Sequence, residues 1–268
     1  MKIEVRNAAN EKTGEIELPE QFNEAVNADL IARAVLAEQS RNWQPYGNFP
    51  EAGKRASATL SRRRHDYRGA YGHGISRVPR KIMSHRGTQF NWVGAFVPST
   101  VGGHRAHPPK SWKILERKMN RQEERKAIRS ALTAVMSKEL VSKIHNVPAN
   151  YPFAADDSFE KISKTKEIFS ALKKVGMEKE LERTSEKVQR AGRGRMRGRK
   201  YRVKKGLLII VSNDCSLMKA ARNIPGIDVS SVNKLNAELL APGTIPGRPV
   251  LITTTAIERM KKEKIYAR

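Results

Sequence analysis

Residues 207–211, Leu-Leu-Ile-Ile-Val, form the longest uninterrupted apolar run of the chain. A run of this kind is typical of a strand that is buried on both faces of a sheet. Two further predicted strands follow it, at 227–232 and 250–252, and helical stretches separate the three. Strands and helices that alternate at this spacing predict an α/β fold, with a mainly parallel sheet, right-handed crossovers and helices that flank the sheet.

The remaining elements follow from apolar periodicity. Residues 2–6 and 15–18 alternate between apolar and polar side chains and predict a hairpin. Helices are predicted over residues 29–40, 121–138, 163–175, 217–223, 234–240 and 256–264. Candidate helix starts include Asp29, Asn233 and Thr255. In the third helix, Phe169 is expected to face inward and Gly176 to end the helix.

The chain is strongly basic, and its charge is concentrated. Its 268 residues carry 52 Lys and Arg against 27 Asp and Glu, a net charge of +25. Residues 41–112 contain 13 basic and 2 acidic side chains, and residues 187–205 contain 10 basic and none acidic. Concentrated cationic segments on a soluble fold predict binding to a polyanion. For the basic segment 187–205 taken alone, a solvated face or a localisation signal remains an open alternative.

Residues 41–112, here called the arm, have an unusual composition. They hold 9 of the 16 aromatic residues and 5 of the 6 histidines, and neither helical nor strand periodicity persists in them. Aromatic rings beside arginines suit stacking on unpaired bases and neutralisation of phosphates. We therefore predict a globular domain formed by residues 1–40 and 113–268, with the arm as a long extended internal loop that lacks its own core and is ordered by nucleic acid. A free disordered loop is the alternative.

Helix 121–138 is expected to add to this cationic surface. Its apolar side chains recur on one side, and its basic side chains fall largely on the other. The basic residues expected on the exposed side are Arg121, Arg125, Lys126 and Arg129. Such a helix could pack on a core and still face an anion.

Several functional classes are disfavoured by what the sequence lacks. No apolar run is long enough to cross a bilayer, so no membrane partner is predicted. The first residues form no apolar signal segment, which predicts a cytoplasmic protein. The single cysteine, Cys215, excludes an internal disulfide and a multi-cysteine zinc site, and it is expected to serve as a small packing residue.

No catalytic constellation is found in the sequence. Residues 212–215, which follow the strongest strand, lack the glycine turn that a dinucleotide site needs. The glycine-rich segment 69–74 follows no predicted strand. His104 and His107 have a spacing that could suit two metal ligands, but no cysteine or acid lies near them in sequence. We therefore predict no enzyme activity, no cofactor and no metal.

Seven motifs, in order along nearly the whole chain, carry a resemblance to a known family. They are Gly53-Lys-Arg-Ala-Ser-Ala-Thr59, Gly72-His-Gly-Ile-Ser-Arg-Val-Pro-Arg80, Gly102-Gly-His-Arg-Ala-His-Pro-Pro-Lys110, Glu123-Glu-Arg-Lys-Ala-Ile-Arg-Ser-Ala-Leu132, Gly192-Arg-Gly-Arg-Met-Arg-Gly-Arg199, Arg222-Asn-Ile-Pro-Gly226 and Val232-Asn-Lys-Leu-Asn236. Together they resemble the universal large-subunit ribosomal protein L-four family, in its archaeal and eukaryotic branch. The archaeal type fits best.

The resemblance implies a structural constituent of the large ribosomal subunit that binds large-subunit rRNA and helps its assembly. It also implies neighbouring ribosomal proteins as partners, and an arm tip that lines the nascent polypeptide exit tunnel and meets the nascent chain. That tip would comprise Tyr71, Gly72, His73, Gly74, Ile75, Ser76 and Arg77. The RNA-binding residues expected from charge and motif together are Lys54, Arg55, Arg62, Arg63, Arg64, Arg68, Arg80, Lys81, Arg86, Trp92, His104, Arg105, His107, Lys110, Arg121, Arg125, Arg193, Arg195, Arg197, Arg199, Lys200 and Arg202.

Two other functions stay open on the sequence alone. One is an RNA-modifying enzyme whose sheet holds a nucleotide cofactor, and the missing glycine turn argues against it. The other is a protein of chromatin or duplex DNA. The aromatic-rich arm and the lack of a groove-reading motif argue against that function.

Overall fold

The computed structural model describes residues 1–267 and divides the chain into two compact units. The sheet unit comprises residues 1–42 and the chain from Glu116 onward, and the arm unit is Trp43–Leu115. The strands are β1 (Lys2–Arg6), β2 (Lys12–Glu17), β3 (Ala58–Thr59), β4 (Arg80–Arg86), β5 (Gln89–Gly94), β6 (Phe153–Ala155), β7 (Val188–Gln189), β8 (Tyr201–Arg202), β9 (Leu208–Val211), β10 (Asp228–Ser231) and β11 (Val250–Thr253). The α-helices are α1 (Ala28–Arg41), α2 (Arg121–Met136), α3 (Lys138–Ser142), α4 (Thr165–Leu172), α5 (Glu178–Ser185), α6 (Arg193–Met196), α7 (Ser216–Ala221), α8 (Ala237–Leu240) and α9 (Thr254–Glu263).

Six strands of the sheet unit form one sheet in the order β10-β9-β11-β6-β1-β2. Neighbouring strands pair in parallel except β1 and β2, which form an antiparallel hairpin. This arrangement confirms the mainly parallel α/β sheet and the N-terminal hairpin. The sequence does not predict β6, because three residues are too few to show a periodicity. Its burial comes from its place between β11 and β1.

Helices cover both faces of this sheet. Leu208 and Ile210 of β9 belong to a core that includes residues of α1, α2, α8 and α9. Ile209 and Val211 belong to a second core, on the other face, with residues of α4, α5 and α7. Successive strand residues point to opposite faces, so a strand covered on both sides has no position left for a polar side chain. All four side chains are fully buried.

Several helix starts differ from those predicted. α1 begins after Asn27 rather than at Asp29, and α8 begins after Asn236 rather than Asn233. In both helices the asparagine side-chain oxygen accepts a hydrogen bond from the third backbone N–H that follows, at 3.0 and 2.8 Å. α9 begins after Thr253, two residues before the predicted capping box. The sequence places more than one capping side chain near each start, and packing selects among them.

The predicted helix 163–175 is correct in position and in its stop, but wrong in one detail. Phe169 is 40% exposed rather than inward-facing. Gly176 ends the right-handed helical path as predicted, because its φ of 92° and ψ of 13° are not helical. The chain bends at this glycine before α5 begins. A Cβ at Gly176 would also lie 3.0 Å from Cβ of Pro148.

A buried ionic cluster links α5 to the segment after α3. Glu180 is 1% exposed and accepts two hydrogen bonds from Arg183, at 2.6 and 2.9 Å, and one from the Asn146 backbone N–H at 3.0 Å. Nδ1 of His145 lies 2.8 Å from the same carboxylate. Burial alone would raise the pKa of Glu180, but the hydrogen bonds from Arg183, His145 and Asn146 outweigh it and lower the pKa to about 2.

This cluster predicts a loss of stability in acid. Since the folded-state pKa of Glu180 lies below its usual value of 4.5, its contribution is complete above about pH 5 and disappears as the pH falls toward 2. With allowance for solvent screening, we expect Glu180→Gln to lower the free energy of unfolding by about 2 kcal/mol at pH 7. Urea denaturation at pH 7, 5 and 3 measures this. A deficit that stays constant down to pH 3 would contradict the assignment.

The arm unit contains a three-stranded antiparallel sheet in the order β3-β4-β5. The turn Gly87-Thr88 joins β4 to β5, with a φ of 55° at Gly87. The hydrophobic residues of this unit that are buried are Ala70 and Ala95, so large apolar side chains do not form a core among its residues. The sequence does not predict this sheet.

Close backbone contact holds the beginning and the end of the arm unit together. A Cβ at Gly53, which has a φ of 79°, would lie 2.4 Å from the backbone nitrogen of His104. A Cβ at Gly47 would lie 2.5 Å from the backbone nitrogen of Ser111. The backbone of Asn48 also donates a hydrogen bond to Pro109 at 3.2 Å. Glycine is required where two backbones approach this closely.

Candidate nucleic-acid interface

The arm residues that are predicted to bind RNA lie mostly at the surface of the arm unit. Those that are exposed are Lys54, Arg55, Arg62, Arg63, Arg64, Arg68, Arg86, Arg105, His107 and Lys110. Those that are half-buried are Arg80, Lys81, Trp92 and His104. The unit has few carboxylates to neutralise this charge, since residues 52–115 contain 13 Lys and Arg and a single acid. Its surface is therefore strongly positive.

Several of these cations lie over aromatic rings. The guanidinium of Arg55 is 4.2 Å from the ring centroid of Phe49, and the ammonium of Lys110 is 5.5 Å from the Trp112 ring. Trp112 itself is 69% exposed. A cation held over a ring keeps its outer side free for an anion, while the ring offers a surface for stacking.

Two predicted RNA-binding residues are engaged within the unit. Arg80 donates hydrogen bonds to the backbone oxygens of Ser76, at 2.6 Å, and Val78, at 3.3 Å. His104 donates its backbone N–H to the oxygen of Phe96 at 2.9 Å, and its ring Nδ1 contacts the same oxygen. These two side chains shape the arm unit, whatever they contact outside it.

The predicted tip residues form a glycine-rich turn before β4. Gly72 and Gly74 have φ values of 83° and 70°, which few other residues adopt. Tyr71 is half-buried, with the guanidinium groups of Arg64 and Arg77 at 5.0 and 4.8 Å from its ring centroid. The other six tip residues are exposed. The exposed tip residues are thus available to a partner, whereas Tyr71 is held by its contacts with Arg64 and Arg77.

A second cationic element, the basic hairpin of residues 187–203, belongs to the sheet unit. Strands β7 and β8 pair in antiparallel register and enclose helix α6. The predicted RNA-binding residues here are all exposed: Arg193, Arg195, Arg197, Arg199, Lys200 and Arg202. Lys187 and Lys200 lie 6.0 and 5.5 Å from the ring of Tyr201. The hairpin therefore repeats the combination of cations and an exposed ring seen in the arm unit.

Helix α2 contributes a smaller cationic face. Arg121 and Arg125 are exposed, as predicted. The expectation for Arg129 is wrong, because this side chain is only 8% exposed. It donates a hydrogen bond to Glu24 at 2.9 Å and another to the backbone oxygen of Tyr266 at 3.0 Å. Arg129 thus links α2 to two distant segments, and its guanidinium is not available to a phosphate of RNA.

The carboxyl edge of the parallel sheet, where α/β folds commonly bind ligands, is occupied by a side chain. The carboxylate of Glu160 accepts hydrogen bonds from Thr253 at 2.7 Å, from Thr255 at 2.8 Å, and from the backbone and hydroxyl of Ser212 at 3.0 and 3.1 Å. Burial alone would raise the pKa of Glu160, but these hydrogen bonds together lower it. An internal anion therefore takes the polar groups that a phosphate would need.

Among the described residues, the structure supports neither Cys215 as a nucleophile at this edge of the sheet nor a metal site at His104 and His107 in the arm unit. Burial, with the charges of Glu160 and Asp214, raises the pKa of the Cys215 thiol, which disfavours the nucleophilic thiolate. Among residues 1–267, His, Cys, Asp and Glu side chains form no group of three that could hold a metal ion, so His104 and His107 have no described partner for such a site. No helix in the described part of the chain is long and apolar enough to cross a membrane.

The motifs that carry these surfaces match a known family. The sequence profile described as "Ribosomal protein L4/L1 family" matches residues 16–263. The chain belongs to the ribosomal protein L4/L1 family. The fold, a mainly parallel sheet with flanking helices, and the archaeal character of the motifs agree with this membership.

Curated archaeal relatives cover nearly the whole chain. The protein named "Large ribosomal subunit protein uL4" from Nanoarchaeum equitans is 46% identical over 99% of this chain and 100% of its own length. The proteins of the same name from Archaeoglobus fulgidus and Methanospirillum hungatei are 41% and 42% identical, over 96% and 98% of this chain. Both match over at least 97% of their own length.

Sequence reasoning misses two acidic residues of this L4/L1 family chain. Glu160 is surrounded by groups 52 to 95 positions away, so no local pattern marks it. Asp66 lies among the arm cations and lines a cavity with aromatic walls. Its isolation among 13 basic residues is visible in the sequence and could have drawn attention to it.

Proposed function

We propose that the chain is a structural constituent of the large ribosomal subunit, in the cytoplasm, and that it binds large-subunit rRNA and helps the subunit to assemble. The observation that supports this most directly is the pairing of exposed cations with aromatic rings in the arm unit and again in the basic hairpin. RNA offers both of the partners that such surfaces need, phosphates and unpaired bases. The names of the archaeal relatives support the same assignment.

The arm unit would be the main RNA-binding element in this function. It carries a large positive charge, and the buried hydrophobic residues described in it are alanines. Contacts with phosphates and bases would supply the stabilisation that a large apolar core gives elsewhere. In the proposed assembly, the exposed tip residues 72–77 line the exit tunnel, where they meet the nascent polypeptide and neighbouring ribosomal proteins.

We propose that the chain has no catalytic activity. The carboxyl edge of the parallel sheet supports this, because the carboxylate of Glu160 already occupies it. A nucleotide cofactor at that edge would have to displace the carboxylate of Glu160 from four hydrogen bonds. The loop after β9 also lacks the glycines that would let a backbone reach a phosphate. An RNA-modifying enzyme therefore stays the weaker hypothesis.

The proposed function is tested by comparing affinities for different RNAs at physiological salt. We expect the full chain to bind large-subunit rRNA at least tenfold more tightly than an unrelated RNA of the same length and base composition, measured by filter binding. Equal affinities would contradict a ribosomal role and leave only a general polyanion-binding protein. Heat released on titration with a nucleotide cofactor would instead favour the enzyme.

A further inference from the structure

An open cavity of about 930 Å³ lies within the arm unit, on one side of β5. Aromatic rings form much of its wall, from Tyr67, Tyr71, Phe90 and Trp92, and Arg64 and Asp66 also line it. Its walls are both apolar and charged, as expected for a site that receives a flat polar ring. A cavity of this volume can hold one nucleobase with its sugar.

The rings that line the cavity are held in a fixed arrangement. Phe90 and Trp92 are stacked, with centroids 5.1 Å apart and planes at 21°. Tyr67 meets Phe90 edge-on, at 5.2 Å and 72°, and donates its hydroxyl hydrogen to the backbone oxygen of Gly87 at 3.1 Å. A stacked pair of aromatic rings next to an open cavity can continue the stack with a base.

Guanidinium groups around the cavity suit the phosphate of the same nucleotide. Arg64 and Arg77 lie near the Tyr71 ring, and Arg64 also donates to the Tyr71 hydroxyl at 3.3 Å. Arg80 lies 5.5 Å from the Trp92 ring centroid. A base inside the cavity would thus have cations within reach of its backbone.

Asp66 is the feature that general RNA binding does not explain. It is the only acid in residues 52–115, its side chain is exposed, and no described residue forms an ion pair with it. Its backbone oxygen accepts a hydrogen bond from the Gly69 N–H at 3.0 Å, which fixes the turn beside the cavity. A carboxylate repels phosphates, so in an RNA-binding surface it weakens general affinity unless it accepts hydrogen bonds from a base.

The base that suits a carboxylate best can be identified from its donors. Guanine carries two parallel donors on one edge, N1–H and the N2 amino group, which match the two oxygens of a carboxylate. Adenine and cytosine offer one amino group there, beside an acceptor nitrogen that a carboxylate repels. Uracil offers a single N–H between two carbonyl oxygens.

We propose that this cavity holds one unpaired guanine of the bound RNA, stacked on the Phe90–Trp92 pair and read by Asp66. The proposal rests on the proposed function, because it takes RNA as the ligand of the arm unit. It goes beyond that function, since it assigns base selectivity to a surface that otherwise reads only charge and stacking.

The test uses the full chain and fluorescein-labelled heptamers of uridine whose central nucleotide is guanosine, inosine, adenosine or uridine. Anisotropy at 150 mM salt should show about tenfold tighter binding of the guanosine heptamer than of the uridine heptamer. Inosine, which lacks the N2 amino group, should fall between them. Asp66→Asn should reduce the guanosine preference to within twofold.

Glu51→Gln is the matched control, because it removes the other negative charge of the arm unit. Glu51→Gln should bind every heptamer somewhat more tightly and keep the preference for guanosine, whereas Asp66→Asn should bind the guanosine heptamer more weakly and lose the preference. Equal affinities for the four heptamers, undetectable binding of all four, or the same change in both variants would overturn the proposal. Large-subunit rRNA is titrated in parallel: if the chain binds it selectively while the heptamers show no preference, only the guanine site fails.

Discussion

Replacing Arg62, Arg63 and Arg64 together with glutamine is expected to weaken binding of the chain to large-subunit rRNA by about 100-fold at 150 mM salt. The three side chains are consecutive and exposed on a unit with almost no acidic residues. Each phosphate contact that is lost removes a charge-assisted hydrogen bond and the counterion release that accompanies it. The effect should therefore be far larger than that of three surface substitutions chosen at random.

The same variant should change the salt dependence of binding. For the wild type, the logarithm of the binding constant should fall linearly with the logarithm of the salt concentration. Loss of three phosphate contacts should make that slope shallower by about 2. Filter-binding titrations between 50 and 300 mM salt measure both the affinity and the slope.

A matched control separates local contacts from net charge. Lys261→Gln, Lys262→Gln and Lys264→Gln together remove the same charge from exposed positions at the end of α9, outside the predicted interface. This control variant should lose less than threefold in affinity. If the two triple variants lose the same affinity, binding depends on total charge alone and the arm has no special role.

The largest effect on stability is expected at Arg248, which is 1% exposed. Its guanidinium donates to the backbone oxygens of Gly206 at 2.6 Å and Leu239 at 2.8 Å, and to the carboxylate of Asp228 at 2.6 Å. Arg248→Met keeps most of the volume but leaves the backbone oxygens of Gly206 and Leu239 without this donor, while Asp228 keeps hydrogen bonds from Lys205 at 2.8 and 3.0 Å. We expect the free energy of unfolding to fall by about 4 kcal/mol, since buried acceptors that lose a charged donor are costly.

Urea denaturation at pH 7 checks this expectation. Arg222→Met, at an exposed position just after α7, is the control and should change the free energy of unfolding by less than about 0.5 kcal/mol. Adding Asp228→Asn to Arg248→Met should recover little of the loss, because Lys205 still pairs with Asp228 when Arg248 is absent. A change below about 1 kcal/mol for Arg248→Met would show that water replaces its hydrogen bonds.

The six-stranded sheet of the sheet unit could be predicted because its central strands, β9 and β11, are buried on both faces. Leu208–Val211 and Val250–Thr253 contain almost only apolar residues, and that composition leaves little alternative to a central parallel strand. Exact helix starts could not be predicted in the same way. Asn27 and Asp29 are both suitable caps, and the packing of α1 against α2 decides between them.

The hairpin β4–β5 could not be predicted for a different reason. β4 shows no alternation of apolar and polar residues, and the alternation in β5 covers only Gln89 to Trp92, which is too short to stand out. A register shift between Ile82 and Ser84 interrupts the period further. The turn at Gly87 is the local signal that was available.

The candidate interface could be predicted in composition but not in geometry. Charge counts alone identify the arm and the basic hairpin, since both are visible as runs of Lys and Arg. The cavity beside Phe90 depends on contacts between residues about 25 positions apart, which no local pattern encodes. The same limit hides the internal role of Arg129, whose partners lie more than 100 positions away.

Ultraviolet cross-linking of the chain within assembled large ribosomal subunits, followed by mapping of the cross-linked residues, tests the central claim most directly. If the arm is embedded in rRNA, cross-links to RNA should concentrate in residues 43–115, with a second group in residues 187–203. The aromatic residues Tyr67, Phe90 and Trp92 should be among them. Cross-links confined to the sheet unit outside the basic hairpin, with the arm unmodified, would contradict the account.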